Sequence, residues 1–171
     1  ASKIELTVHS DHSISITDNG RGIPTDPHPK FPEKSALEVI FCTLHAGGKF
    51  SGEAYQTSGG LHGVGASVVN ALSDKLIVQV ARDKKLFEQR FSKGHAESNL
   101  KLVSDTHTRR GTKITFHPDP EIFGKHKIIP SVLYQFAQSK AYLYSGVQIR
   151  WSCEVDDAKT PSKALFHFPG G

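Results

Sequence analysis

Two short segments carry residue types that could do chemistry: Asp18-Asn19-Gly20-Arg21-Gly22 and Gly59-Gly60-Leu61-His62-Gly63-Val64-Gly65. An acid at the end of a strand can accept a hydrogen bond from an exocyclic amine. Adenine offers such an amine on its six-membered ring. Guanine presents a carbonyl there, which a carboxylate repels. Glycines beside the acid let a flat base approach the backbone. Taken alone, the same residues also suit an ordinary Asp-Asn-Gly turn. The second segment has glycine at four of its seven positions and runs into a helix. Its backbone N–H groups are free to face an anion, and the helix dipole adds partial positive charge. It lacks the Gly-Lys-[Ser/Thr] of a Walker loop, and no strand runs directly into Gly60, Gly63 and Gly65 as a dinucleotide fingerprint requires. Alone it also suits a flexible loop with close helix packing. Together, one segment fits a base and the other a triphosphate.

The elements around them follow from hydrophobic periodicity. Ile4, Leu6 and Val8 alternate with polar residues, Asp11-His12 breaks the run, and Ile14 and Ile16 alternate again. That pattern predicts a hairpin ending at the turn 18–24. Pro27, Pro29 and Pro32 make 26–34 a loop. Ser35-Ala36-Leu37-Glu38 is a capping box that opens a helix, with Leu37, Ile40, Phe41 and Leu44 on one face and Gly47-Gly48 as its stop. The stretch 46–62 reads as a long glycine- and serine-rich loop of the kind that forms lids. A second helix is expected from about Val64 to Leu72. Leu76–Ala81 and Leu86–Phe91 read as strands joined by a turn at 82–85, residues 93–110 are weakly patterned, and 111–116 form another strand. A helix over Ser131–Tyr144 is expected to turn Val132, Leu133, Phe136 and Leu143 inward and to end at Gly146. Val147, Ile149, Trp151, Cys153 and Val155 alternate, with Leu165–Phe168 as a hairpin partner. Strands and helices do not alternate as βαβ units. The expectation is an α+β fold, helices on one face of a mixed sheet, formed by 1–171 as one domain.

Composition narrows the class. The chain has 171 residues, 37% hydrophobic and 22% charged, which fits a globular fold rather than disorder. No run approaches the roughly 18 apolar residues of a membrane span, and the start shows no signal-peptide core. Cys42 and Cys153 form no C-x-x-C pair, so neither a zinc site nor a disulfide framework is indicated, and a cytoplasmic setting is expected. The histidines lack the spacing of a zinc helix, so no metal-ligating residue is assigned. The net charge of +4 suits work near DNA without requiring it.

Ile16–Pro24 resembles the first glycine motif of the GHKL ATPases, whose Bergerat fold is a two-layer sandwich. Leu44–Phe50 and Ser58–Ser73 resemble the ATP lid and second glycine motif of the gyrase-type B subunits of bacterial type IIA DNA topoisomerases. Arg110-Gly111-Thr112 resembles the Gly-Thr motif that follows them. The resemblance covers nearly the whole chain. The segment 26–34, with Leu86–Phe91, is closer to topoisomerase IV than to gyrase. The resemblance implies roles. Asp18 would bind the adenine amine, with Thr112 supporting it through a water, beside Gly20 and Gly22. Ile23, Pro24 and Ile40 would wall the base. Gly60, Leu61, His62, Gly63, Val64, Gly65 and Ala66 would wrap the triphosphate, and Lys49 and Tyr55 would reach it from the lid, about 46–62. His62 would hydrogen-bond rather than act as a base. Arg21 and Arg82 would flank the pocket mouth, where aminocoumarin inhibitors bind in this family.

The cofactors implied are ATP and Mg²⁺. The implied partners are the topoisomerase A subunit, a second B subunit and duplex DNA, with no membrane. The implied work is ATP-driven dimer closure and strand passage, giving decatenation and relaxation. In the family, the catalytic base and the Mg²⁺ ligand lie on a helix expected upstream of Ala1. No catalytic residue is therefore assigned, and this chain alone, truncated at its N-terminus, is expected not to hydrolyse ATP. The alternatives are another GHKL ATPase, akin to mismatch-repair enzymes, heat-shock chaperones or histidine kinases, or a basic nucleic-acid-binding module without enzymatic activity.

Overall fold

In this computed structural model, residues 1–43, 65–124, 128–157 and 159–170 are described. The first hairpin forms as its alternation dictates. β1 (Lys3–Val8) and β2 (Ile14–Asp18) pair antiparallel, Leu6 opposite Ile16 and Val8 opposite Ile14. The proline-rich stretch is not a plain loop. It folds into a two-stranded ribbon, β3 (Pro27–His28) and β4 (Phe31–Ser35). A ribbon this short needs few ladder donors, so its prolines are tolerated. Half of the capping box forms: the Ser35 hydroxyl accepts from the Glu38 N–H at 3.1 Å and opens α1 (Ala36–Cys42), which ends sooner than expected, while the Glu38 carboxylate accepts from Gln89 Nε2 at 2.7 Å.

Then come α2 (Gly65–Ala71), β5 (Ser73–Arg82) and β6 (Lys85–Ser92). Asp83 and Lys84 both take positive φ (55° and 63°), so the two-residue turn matches the strand twist. β7 (His95–Ala96) and β8 (Lys101–Asp105) both pair with β6 in the stretch that lacked a pattern. Every residue of β8 is exposed, so no burial imposes alternation there. β9 (Gly111–Pro118) is followed by a short α3 (Pro120–Phe123), capped by the Asp119 carboxylate, and by α4 (Pro130–Leu143). β10 (Gln148–Cys153) and β11 (Lys163–Phe166) form the last hairpin.

Among the described residues, nine strands make one mixed sheet, ordered β11-β10-β1-β2-β9-β5-β6, with β7 and β8 on β6. β1 runs parallel to β10; the other pairings are antiparallel. One core lies between α4 and the sheet, around Leu6, Val8, Ile14, Ile149 and Trp151. The other packs Leu37 and Phe41 of α1 on Leu76, Val78, Val80 and Phe91.

The inward face of α4 differs from the expected one. Val132, Phe136 and Leu143 are exposed, while Ala137 and Ala141 are buried, with Leu133 half-buried beside them. Alanines let the helix approach the sheet closely. The bulk comes instead from Tyr134, edge-on to Trp151 (5.4 Å between centroids) and to Phe166 (5.1 Å). Between α2 and α4 an apolar groove of about 430 Å³ opens over Phe116, walled by Val69, Leu72, Val132 and Leu133.

Candidate functional site

Side chains on a strand alternate between faces, so Ile14, Ile16 and Asp18 share one face of β2. Thr112, Ile114 and Phe116 share the same face of β9, with Ile16 opposite Ile114. The face therefore reads as apolar rows that end in a polar row, Asp18 with Thr112, at the end of the sheet.

Asp18 is held from two sides. Its Oδ1 accepts the Gly20 N–H at 2.9 Å and the Thr112 N–H at 3.2 Å. The Thr112 hydroxyl accepts the Ile23 N–H at 3.1 Å. Thr112 thus acts directly: its amide fixes the carboxylate, and its hydroxyl ties down the turn that carries Ile23. No described residue donates to Asp18 Oδ2, so one carboxylate oxygen has its acceptor capacity left for a ligand.

Two glycines are required by space as well as by φ. At Gly111 (φ +119°) a Cβ would lie 2.1 Å from the Asp18 carbonyl oxygen. At Gly22 (φ +85°) it would lie 2.9 Å from Val80 Cγ1. Without these glycines β9 could not bring Thr112 against Asp18, and the turn 19–22 could not lie over β5. Gly20 has an ordinary φ, and a Cβ there would press on Asp18 Oδ1 at 3.2 Å. The turn is braced by arginines: Arg82 Nη1 donates to the Gly22 carbonyl (2.9 Å) and Arg110 Nε to the Gly20 carbonyl (3.1 Å).

Ile23, Ile40 and Ala66 are partly buried against the core under α1, and Pro24 is half-buried beside Ile23. Gly65 opens α2, and a Cβ there would meet nothing within 4 Å among the described residues. Arg21 and Arg82 meet at the rim of an open groove of about 390 Å³. Lys49, Tyr55, Gly60, Leu61, His62, Gly63 and Val64, with the lid, lie outside the described residues.

Sequence reasoning missed three contributors. Ile16 is 38% exposed although it sits on the inward face, and Ile114 beside it is half-buried. They form an apolar floor directly below Asp18 and Thr112. The alternation Ile14, Ile16, Asp18 was a signal for the first of these. Gly111, read in the sequence only as part of the Gly-Thr motif, owes its constraint to Asp18, 93 residues away. Asn70, fully buried, joins the helices: its Nδ2 donates to the Phe41 carbonyl at 2.9 Å and its Oδ1 accepts the Gly94 N–H at 3.3 Å. Among the described residues, no group of three His, Cys, Asp or Glu side chains is arranged to hold a metal ion. None of the described helices is long and apolar enough to cross a membrane.

The family model for histidine kinase-, DNA gyrase B-, and HSP90-like ATPases matches residues 1–122. The chain belongs to that family. Its fold is accordingly the GHKL ATPase fold, and the family implies ATP binding. Among curated GHKL relatives, the B subunit of DNA topoisomerase 4 from Rickettsia conorii is 57% identical over 173 residues, and that from Bartonella bacilliformis 54% over 176 residues. The DNA gyrase B subunit of Thermotoga maritima is 45% identical over 168 residues. The first two cover 100% of this chain and the third 98%, but the chain spans only about a quarter of their own length (25–26%). A solved GHKL structure, the 43K ATPase domain of Thermus thermophilus gyrase B in complex with an aminocoumarin, superposes with a TM-score of 0.83 at 35% identity. It covers 100% of this chain, which spans 41% of it.

Proposed function

We propose that this chain is the ATP-binding segment of a type IIA DNA topoisomerase B subunit, of the topoisomerase IV kind. The observation that carries the reading is Asp18, with one oxygen fixed by two backbone N–H groups and the other claimed by no described residue, above the floor of Ile16 and Ile114. An adenine laid on that floor offers its amine to the unclaimed oxygen and its faces to Ile23, Pro24 and Ile40. The glycine-rich segment from Gly60 to Ala66 wraps the triphosphate, with Lys49 and Tyr55 of the lid closing on it. Arg21 and Arg82 stand where an aminocoumarin would extend out of the pocket.

The residues present fit ATP, since donors, acceptor and apolar floor match a base. Mg²⁺ would be held through the phosphates of the nucleotide. In the whole enzyme, a cytoplasmic one, ATP binding would join two B subunits. Together with the A subunits they would pass one DNA duplex through another. Within this chain, Asp18 selects the base, Thr112 and Gly111 hold it in place, and the loop glycines leave room for phosphate. Titration of the B subunit with non-hydrolysable ATP and GTP analogues tests the reading. Adenine is expected to be preferred by at least about tenfold, one charged hydrogen bond's worth. Equal affinities would overturn it.

A further inference from the structure

Gly20 supplies one of the two N–H groups that fix Asp18 Oδ1, at 2.9 Å. The bond closes an Asx turn, from a side chain to the backbone two residues on. It is made by the residue type with the least conformational restraint, because glycine has no Cβ to narrow its φ and ψ. Nothing within Gly20 keeps its N–H on the carboxylate. The restraint has to come from neighbours.

Two neighbours supply it. On the N-terminal side, Asn19 is tied to the start of β1: its Oδ1 accepts the Ser2 N–H at 2.8 Å and the Lys3 N–H at 3.0 Å. On the C-terminal side, Arg110 Nε donates to the Gly20 carbonyl at 3.1 Å. Arg110, Gly111 and Thr112 are consecutive, and all three bear on the same stretch. Gly111 lies against the Asp18 carbonyl, and Thr112 gives its N–H to Asp18 Oδ1 and receives the Ile23 N–H on its hydroxyl. The segment that delivers one N–H to Asp18 therefore steadies the other through Arg110. Arg82 reaches the turn further on, at the carbonyls of Arg21 and Gly22.

We infer that Arg110 is a positioning residue for base selection: its Nε–H holds the Gly20 carbonyl and thereby keeps the Gly20 N–H on Asp18. The inference rests on the reading of Asp18 as the group that selects adenine. Arg110 acts through Gly20 rather than on the base. Without the Nε donor the Gly20 peptide is released, and Oδ1 keeps only the Thr112 N–H. The carboxylate then turns more freely. An adenine amine has to order it before bonding, which weakens binding. The carbonyl that hypoxanthine presents at the same ring position is repelled less, because the carboxylate can turn away. Both effects lower the preference for adenine.

The charge of Arg110 offers a rival role, attraction of phosphates. Glutamine and lysine separate the two. Glutamine places an N–H donor as many bonds from Cα as Arg Nε and carries no charge; lysine puts a methylene there and keeps the charge. The test is calorimetric titration of the B subunit with non-hydrolysable ATP and inosine triphosphate analogues, for the unmodified protein, Arg110→Gln and Arg110→Lys. Hydrogen exchange of the peptide 17–23, followed by mass spectrometry without nucleotide, reads the turn directly. Arg110 is exposed, so the fold is expected to survive both changes. Arg110→Lys should lower the adenine preference about three- to tenfold, the contribution of one surface hydrogen bond, and should speed exchange in the peptide. Arg110→Gln should retain the preference and the slow exchange. A preference that survives in Arg110→Lys would overturn the inference, and so would its equal loss in Arg110→Gln. Weaker binding of both analogues in Arg110→Gln alone, with the preference intact in every protein, would assign the residue to phosphate attraction instead. An unmodified protein with no preference fails the Asp18 reading and this inference with it, whereas a preference present there and unmoved by Arg110→Lys fails this inference alone.

Discussion

Replacing Asp18 by Asn changes one atom and little of the shape, so it isolates the chemistry of base selection. Oδ1 receives the Gly20 and Thr112 N–H groups at 2.9 and 3.2 Å. An amide nitrogen cannot accept those bonds. The amide oxygen must therefore take the Oδ1 place, and the NH₂ group must turn toward the floor of Ile16 and Ile114. There it would meet the adenine amine donor to donor. The lost charge-assisted hydrogen bond costs about 1.5–3 kcal/mol. At 1.4 kcal/mol per decade, that is roughly a ten- to hundredfold rise in Kd for an ATP analogue. Both backbone bonds survive with a neutral acceptor, so stability should fall by less than about 1 kcal/mol. Calorimetric titration of the B subunit carrying Asp18→Asn measures the first quantity and urea unfolding the second. An inosine analogue, with a carbonyl at the same ring position, should lose its disadvantage, because the new NH₂ can donate to it. Unchanged affinity for the adenine analogue in a folded variant would refute the reasoning, as would parallel losses for both bases.

Three further outcomes follow from the same geometry. Gly111→Ala should destabilise the chain by about 1–3 kcal/mol from the backbone conformation alone, with more from the overlap on the Asp18 carbonyl, and should weaken nucleotide binding; unfolding by urea and analogue titration check both. Gly65→Val should separate the two roles of glycine: a Cβ there meets open space, so nucleotide affinity should drop while the far hairpin β10–β11 stays folded, and wild-type affinity would mean that the triphosphate lies elsewhere. The Ser13 hydroxyl and amide hold the Asp11 carboxyl below its usual range. Its folded pKa is depressed, so its contribution is present at neutral pH and is lost as pH falls through that lowered value. Asp11→Asn should cost less than about 1 kcal/mol at neutral pH, since the group is exposed, and the difference from the unmodified chain should vanish in acid, as read from urea midpoints.

The parts of the fold written in local pattern were legible. Ile4, Leu6 and Val8 announced a one-sided strand, Ser35 and Glu38 a helix start, and Ile149, Trp151 and Cys153 a strand against the core. What was hidden depends on neighbours far along the chain. The helix α4 shows apolar residues on two faces, and only the proximity of Trp151 and Phe166 decides that alanines go inward and Phe136 outward. β8 carries no alternation because it buries nothing. At the site, Asp18 and the turn glycines were legible as a motif. The direct Thr112 amide bond was not, nor the floor of Ile16 and Ile114, because each arises from the register between β2 and β9.

The parallel pairing of β1 with β10 has a consequence for how this chain is made. The ribosome delivers Gln148–Cys153 about 145 residues after Lys3–Val8. At about 5–20 residues per second, β1 waits roughly 7–30 s for its second neighbour. During that interval Leu6 and Val8 belong to an open strand edge, and α4, which will cover them, has yet to emerge or settle. The hairpin that ends in Asp18 therefore forms well before it is enclosed. Nascent chains of this protein should lean on ribosome-associated chaperones until the β10–β11 hairpin is out, and a pause in translation before Gln148 should send more of them to aggregation than a pause after Phe166.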